Sequence, residues 1–292
     1  MISKPLRAVL FALLLPLAAR PAGAGGAAAV LSYEGGAYLE AFSAFQAAYG
    51  KEVPHFDISR GAPELPPGTD LVVAFGGRAA AHKYPPGVAV VYCMAPGVFK
   101  NPAQDGRAIK IGLIPKFSDI LARFAEAQPG LKRLRVIWMT PTFDGFTEPF
   151  RTAAAALGIE AAPAKVRSPE DLPEALRQAR ASSDAFWLPP DPLLMTPENL
   201  MILREFSWSN AIPFFGSTKG MTREGAVASV GVSFGEMGAA AARAALGLEA
   251  GVKVPALVFP EKAELTLNAT AAKRCGLTLT PALLRKADYL FP

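Results

Sequence analysis

The chain has 292 residues, 51% apolar and 19% charged, with 26 glycines and 27 prolines. That is enough apolar material for one large α/β domain or two lobes of roughly 100–150 residues, and Gly plus Pro at about 18% excludes a low-complexity disordered chain. The formal charge of +5 is mostly a terminal effect: residues 1–24 carry Lys4, Arg7 and Arg20 and no acid, so that without them 27 basic residues face 25 acidic ones. The short cluster LKRLR at 131–135 is no footprint for nucleic acid and reads as a solvated turn before a strand.

In chain order, Lys4 and Arg7 precede an apolar run from Ala8 to Ala19, and Ala22-Gly23-Ala24 forms an A-x-A site. This is the layout of a secretory leader cleaved after Ala24, and no cysteine lies near the cut to take a lipid anchor. Short apolar runs then predict strands at 27–32, 53–58, 70–75, 88–93, 109–114, 134–139, 159–164, 184–189, 212–217 and 226–232. Amphipathic stretches at 36–49, 77–82, 117–127, 145–157, 169–181, 197–208 and 234–247 predict helices between them. The alternation is that of parallel sheets with crossover helices.

Two helix starts are marked locally. Ser168, Pro169 and Asp171 in SPEDL, and Thr196, Pro197 and Asn199 in TPENL, combine a cap, a first-turn proline and a polar or acidic group at the positive end of the helix dipole. In DAFWLPPDPLLMTPENL, 184–200, the prolines end a strand abruptly and turn the chain at its carboxyl end, where ligands sit in open α/β sheets. The strand–helix units fall into two groups that divide between Ile114 and Phe117, which predicts two successive lobes with a cleft between them.

Several segments resemble the ABC transporter substrate-binding protein family, whose best-known members bind aromatic amino acids such as tryptophan. They are LGIEAAPAKVRSPEDLPEALRQA (157–179), DAFWLPPD (184–191), IPFFGS (212–217), REGAVASVGVSFGEMGAAAARAALG (223–247) and LTLNATAAKRCGLTLTPALLRKAD (265–288). LSYEGGAYLEAFSAF (31–45) and DLVVAFGGRAA (70–80) fall where the family places its first ligand loop and a following turn. The resemblance implies a type I periplasmic binding fold: two α/β lobes, each a parallel sheet flanked by helices, joined by three crossing segments and closing on a small ligand. It also implies that helix 234–247 returns to the first lobe. The partition is then a signal peptide over 1–24, lobe 1 over 25–115 plus about 233–250, and lobe 2 over 116–232 plus about 251–292. Three places depart from the family pattern: PPDP keeps Asp191 but puts Pro192 where a polar amide is usual, TPTFDGF (140–146) replaces an Asn- and Pro-rich loop, and GST (216–218) replaces GSD.

Candidate ligand contacts are the residues after the carboxyl ends of the predicted strands. From lobe 1 these are Ser32, Tyr33, Tyr38, Gly77, Arg78 and Met94; from lobe 2, Thr142, Phe143, Asp191, Ser217 and Thr218. Gly76-Gly77 ahead of a helix either offers amides to an anion or makes a tight turn, and Arg78 either forks a carboxylate or faces solvent. Asp191, at a position the family retains, either accepts from a ligand ammonium or serves an Asx-type turn or helix cap. Tyr33, Tyr38 and Phe143 stack on an apolar ligand as a group or serve as core and rim.

His55 and His82 share no metal spacing, Cys93 and Cys275 read as buried thiols ahead of a disulfide, and no nucleophile elbow, phosphate loop or zinc helix is present, so neither cofactor nor metal is expected. The expectation is an exported, periplasmic solute-binding protein of an ABC importer. It takes an amino acid or related carboxylate or aromatic compound and hands it to an inner-membrane permease. A sensing or adaptor protein is the second reading and a two-lobed enzyme the third.

Overall fold

The computed structural model describes residues 26–101 and 107–292; the leader expected over 1–24 lies outside the described residues. Two sheets organise the chain. The first has the order β11-β5-β4-β3-β1-β2, with β1 Gly26–Leu31, β2 His55–Asp57, β3 Thr69–Phe75, β4 Ala89–Cys93, β5 Ala108–Ile111 and β11 Leu257–Val258, all parallel. The second runs β13-β12-β10-β9-β8-β6-β7, with β6 Arg133–Trp138, β7 Glu160–Lys165, β8 Ala185–Trp187, β9 Phe214–Gly216, β10 Ala228–Gly231, β12 Glu264–Asn268 and β13 Tyr289–Phe291.

The central predicted runs become strands because their interiors are covered on both faces. In β1, β3 and β4, residues Leu31, Val73 and Val91 pack in one core while their neighbours Val30, Val72 and Val90 pack in another. In β8, Ala185 and Trp187 join one core and Phe186 the opposite one. Successive side chains point to opposite faces, so a strand buried on both sides must be apolar throughout.

The second sheet is parallel except where β12 meets β10, which run antiparallel. Chain direction explains this departure from an all-parallel lobe. After β10 the chain forms a helix on the first sheet, adds β11 parallel to β5, and comes back to the second sheet from the strands' carboxyl side; β12 therefore enters in the reverse direction. The pairing of β11 with β5 also places Leu257 and Val258 in the first sheet, beyond the boundary at about 250 drawn from sequence.

Helix α1, Gly36–Tyr49, and α8, Phe234–Glu249, pack together on the first sheet around Ala41, Phe45, Ala241 and Ala245. The remaining helices are α2 Gly77–Ala81, α3 Phe117–Ala127, α4 Thr147–Ala155, α5 Leu172–Ser182, α6 Pro197–Asn210, α7 Lys219–Arg223, α9 Ala269–Arg274 and α10 Pro281–Leu284. Ser168 and Asp171 form the expected reciprocal cap, and the Thr196 hydroxyl accepts from the Asn199 amide. Arg133 of the basic cluster is no free solvated charge: it donates to Asp184 at 2.9 Å, tying the start of β6 to the start of β8. Cys93 and Cys275 are free and buried, one in each sheet's core, and burial pushes both thiols up.

The contact between α1 and α8 is close enough to need a glycine. A Cβ on Gly238 would overlap the Ala41 carbonyl oxygen and lie 3.0 Å from the Phe45 amide nitrogen. Gly238→Ala should therefore lower unfolding free energy by about 2 kcal/mol, an overpacking cost, measured by urea denaturation; a loss below roughly 0.5 kcal/mol would show that the helices separate easily.

Candidate functional site

At the carboxyl end of the first sheet, Ser32 follows β1 and its Oγ accepts from the Ala79 amide at 3.1 Å, fixing α2 against the strand. Gly76 takes φ +96°, and a Cβ there would meet Ser32 Oγ at 2.5 Å and the Tyr38 ring at 2.6 Å, so only glycine fits for two independent reasons. Tyr38 is met edge-on by Tyr33, centroids 4.8 Å apart, and burial, followed by the proximity of Tyr33 and Cys93, raises its hydroxyl pKa. Tyr33 remains 51% exposed. Gly77 opens α2, and the exposed Arg78 beside it has no ion pair or hydrogen bond among the described residues. Met94, after β4, is a buried non-glycine residue at φ +54°, a conformation held against its own preference by its surroundings.

At the carboxyl end of the second sheet, Asp191 is 1% exposed. Its Oδ2 accepts from the Met139 amide at 2.7 Å, the Thr140 amide at 2.8 Å and the Thr140 hydroxyl at 3.2 Å. Its Oδ1 accepts from the Leu193 amide at 3.1 Å. Of the two readings of LPPDP, the geometry is that of the Asx turn: the carboxylate serves the backbone and fastens the end of β6 to the end of β8. Phe143 is buried at 6% exposure and meets Trp138, Phe150 and Trp187, so it is core as well as wall. Thr142 lies in the 3-10 turn Pro141–Phe146. Ser217 is buried with its amide on the Met221 sulfur at 3.2 Å, and Thr218 caps α7 through the Met221 amide at 3.3 Å.

The eleven candidates are thus not one pocket. Phe143 and Asp191 line a cavity; the first-sheet residues form a separate rim, and Ser217 and Thr218 sit at a third strand end. The cavity spans about 500 Å³ of empty space, the open solvent at its mouth included. Its walls come from both sheets: Lys110 of β5, two crossing segments at Gly112–Ile114 and Leu257 with Phe259, Trp138 and Thr140 at the end of β6, Phe146 in the 3-10 turn, and Pro189–Pro190 after β8.

The crossing segments are joined where the Gly112 amide donates to the Val258 carbonyl at 2.8 Å. The Trp138 indole donates to Asp144 at 2.8 Å, and Lys165, ahead of that indole, holds the Asp144 carboxyl below its usual range. Sequence reasoning passed over Lys110, although a charge inside IKIGLI, 109–114, is itself a signal. Trp138, inside the predicted strand 134–139, is likewise absent from the candidates drawn from sequence. Among the described residues no cluster of His, Cys, Asp and Glu is arranged to hold a metal, and no helix is long and apolar enough to cross a membrane.

A family described as ABC transporter substrate binding protein matches residues 119–290, more than half of the chain. The chain belongs to this family. Similar solved structures include a Streptococcus pneumonia protein described as an ABC domain in complex with L-Trp, with 15% identity, TM-score 0.59, and 91% of this chain and 100% of that one covered. A conserved domain protein from Vibrio cholerae has 18% identity, TM-score 0.60 and coverage of 91% and 99%. A ligand-free, open substrate binding protein with adhesive properties from Clostridium difficile has 14% identity, TM-score 0.65 and coverage of 91% and 99%. No curated protein gives a significant match. At such identities the structural likeness establishes a two-lobed binding-protein fold and leaves the ligand to the site.

In this substrate-binding protein the role of Asp191 is mechanical, and its loss strands three backbone amides, those of Met139, Thr140 and Leu193. Asp191→Ala should lower unfolding free energy by roughly 3 kcal/mol, and Asp191→Asn, which keeps an acceptor, by clearly less. Urea denaturation of the two variants checks the order; equal and negligible losses would show that the turn holds without the carboxylate.

Proposed function

We propose that the protein is the exported solute-binding component of an ABC importer, that its two sheets are the cores of two lobes, and that it closes on a small organic ligand and presents it to an inner-membrane permease. The observation that carries the reading is the position of the cavity: it lies where the carboxyl ends of both sheets converge, against two of the crossing segments. Rotation about such segments changes the distance between the walls, so a ligand that touches both favours the closed arrangement by its differential affinity. Family membership supports the same reading, since its members are described as binding proteins. The ligand class is an amino acid or a related carboxylate or aromatic compound. Tyr33, Tyr38, Gly77, Arg78 and Met94 supply the first-lobe rim; Thr142, Phe143, Asp191, Ser217 and Thr218 supply or brace the second.

Thermal denaturation of the mature chain, Gly25 to Pro292, against amino acids, aromatic acids, purines and small sugars tests this. A true ligand at 100 times its dissociation constant adds about 2.7 kcal/mol, and Arg78→Ala should reduce the shift for an anionic ligand. No shift across the panel would remove the solute-binding reading. Export is tested separately: the secreted chain should begin at Gly25 by mass spectrometry, and a retained leader would contradict cleavage after Ala24.

A further inference from the structure

Three charged side chains are buried among the described residues: Lys110, Asp191 and Glu236. The two acids are compensated. Asp191 takes the four donors described above, and Glu236 accepts from Arg243 at 2.6 Å and from the Glu261 amide at 3.1 Å. Lys110 is different, because among the described residues no carboxylate lies within ion-pair reach of it; its ammonium has the Val98 carbonyl at 2.8 Å and the face of Phe99 at 3.7 Å. It is also the only one of the three that belongs to a strand.

Burying an ammonium without an anion is costly, and a carbonyl with a ring face recovers only part of that cost. Lys110 carries this burden in the wall of the cavity, beside Trp138, Phe146, Leu257 and Phe259. The only carboxylate in that wall, Asp191, is already engaged by backbone and hydroxyl donors. A ligand ammonium would find no free counter-ion there, whereas a ligand carboxylate would.

We propose that Lys110 is the counter-ion for a ligand carboxylate, so that the cavity takes a small aromatic or apolar monocarboxylate in preference to the corresponding α-amino acid. The inference rests on the solute-binding reading above and narrows its ligand class. Lysine suits the task, since its flexible stem lets the ammonium exchange the Val98 carbonyl for a carboxylate. Burial pulls its pKa down to about 8, which leaves most of the population charged at neutral pH.

The test is calorimetric titration of the mature protein at pH 7 with three matched probes: 3-phenylpropionate, L-phenylalanine and 3-phenylpropanamide. The acid should bind at least about 30-fold tighter than the amide, the penalty of leaving a buried charge unpaired, and tighter than the amino acid. Lys110→Met should abolish the preference for acid over amide. The same variant, relieved of an uncompensated charge, should melt at or above the wild-type temperature without ligand, an outcome that a merely structural lysine would reverse.

L-phenylalanine binding as tightly as the acid, or the amide matching it, overturns the assignment while leaving the cavity as a binding site. So does a Lys110→Met protein that still distinguishes acid from amide. If none of the three binds but another class of compound does, the carboxylate assignment falls alone; if no compound of any class binds, the solute-binding reading falls with it. The wild-type series decides the charge preference even where the variant folds poorly.

Discussion

The constraint on which the structure depends is that the central strands of both sheets are covered on both faces. A polar side chain inside such a strand has no water to satisfy it and must find a protein partner, as Ser229 and Thr266 do in Thr222. Apart from Lys110, Ser229 and Thr266 inside β5, β10 and β12, much of the polar chemistry gathers at the strand ends, where backbone amides and carbonyls leave the ladder and the chain must turn. Ser32, Gly76, Asp191 and Thr218 all sit at such ends, and all four serve the turn itself. The close approach of α1 and α8 belongs to the same design, since small residues along α8 let it lie tightly over a sheet face that would otherwise be wet.

The ends of the second sheet are drawn together by a few polar links. Asp191 joins the ends of β6 and β8, Asp184 joins their starts through Arg133 and two backbone amides, and the buried hydroxyls of Thr222, Ser229 and Thr266 bond one another beside β10 and β12. Each is satisfied, so each fixes register without leaving a buried penalty. The prolines at 189, 190 and 192 contribute from the opposite direction by withholding amides, which stops β8 after Trp187 and leaves the Asp191 carboxylate to collect the donors of its neighbours.

Much of this was legible in the sequence. Ten predicted strands overlap observed ones, because a long apolar run with turn residues on both sides has few alternatives in a chain of this composition. The short elements were not legible: β11, with two residues, is held only by its ladder to β5, and β12 and β13 lie in a tail whose direction depends on how the chain recrosses. The site was legible in outline. Strand-end logic found Asp191 and Phe143 but not their roles, since four donors converging on one carboxylate come from residues more than fifty positions upstream as well as two downstream. Lys110, Leu257 and Phe259 were missed because a strand-end rule looks past residues inside strands and crossing segments.

The two sides of the proposed binding region differ in rigidity. The cavity walls are tied by the Gly112–Val258 hydrogen bond and by the contacts of Phe117 with Phe143, Phe146 and Phe259, so a ligand placed there orders little protein. Tyr33 and Arg78 are exposed at the ends of β1 and β3, separated from β5 by one or more intervening strands at about 4.8 Å each. Residues farther from the crossing segments travel farther in any rotation about them, and long or exposed side chains lose the most freedom when they settle. In the closing motion proposed above, the hinge side would be preorganised for recognition, while the rim would bear the entropy cost of closure. A protein that must release its ligand as well as capture it would gain from that division, because the proposed closed form would have its affinity held down at the rim without loosening the walls that choose the ligand.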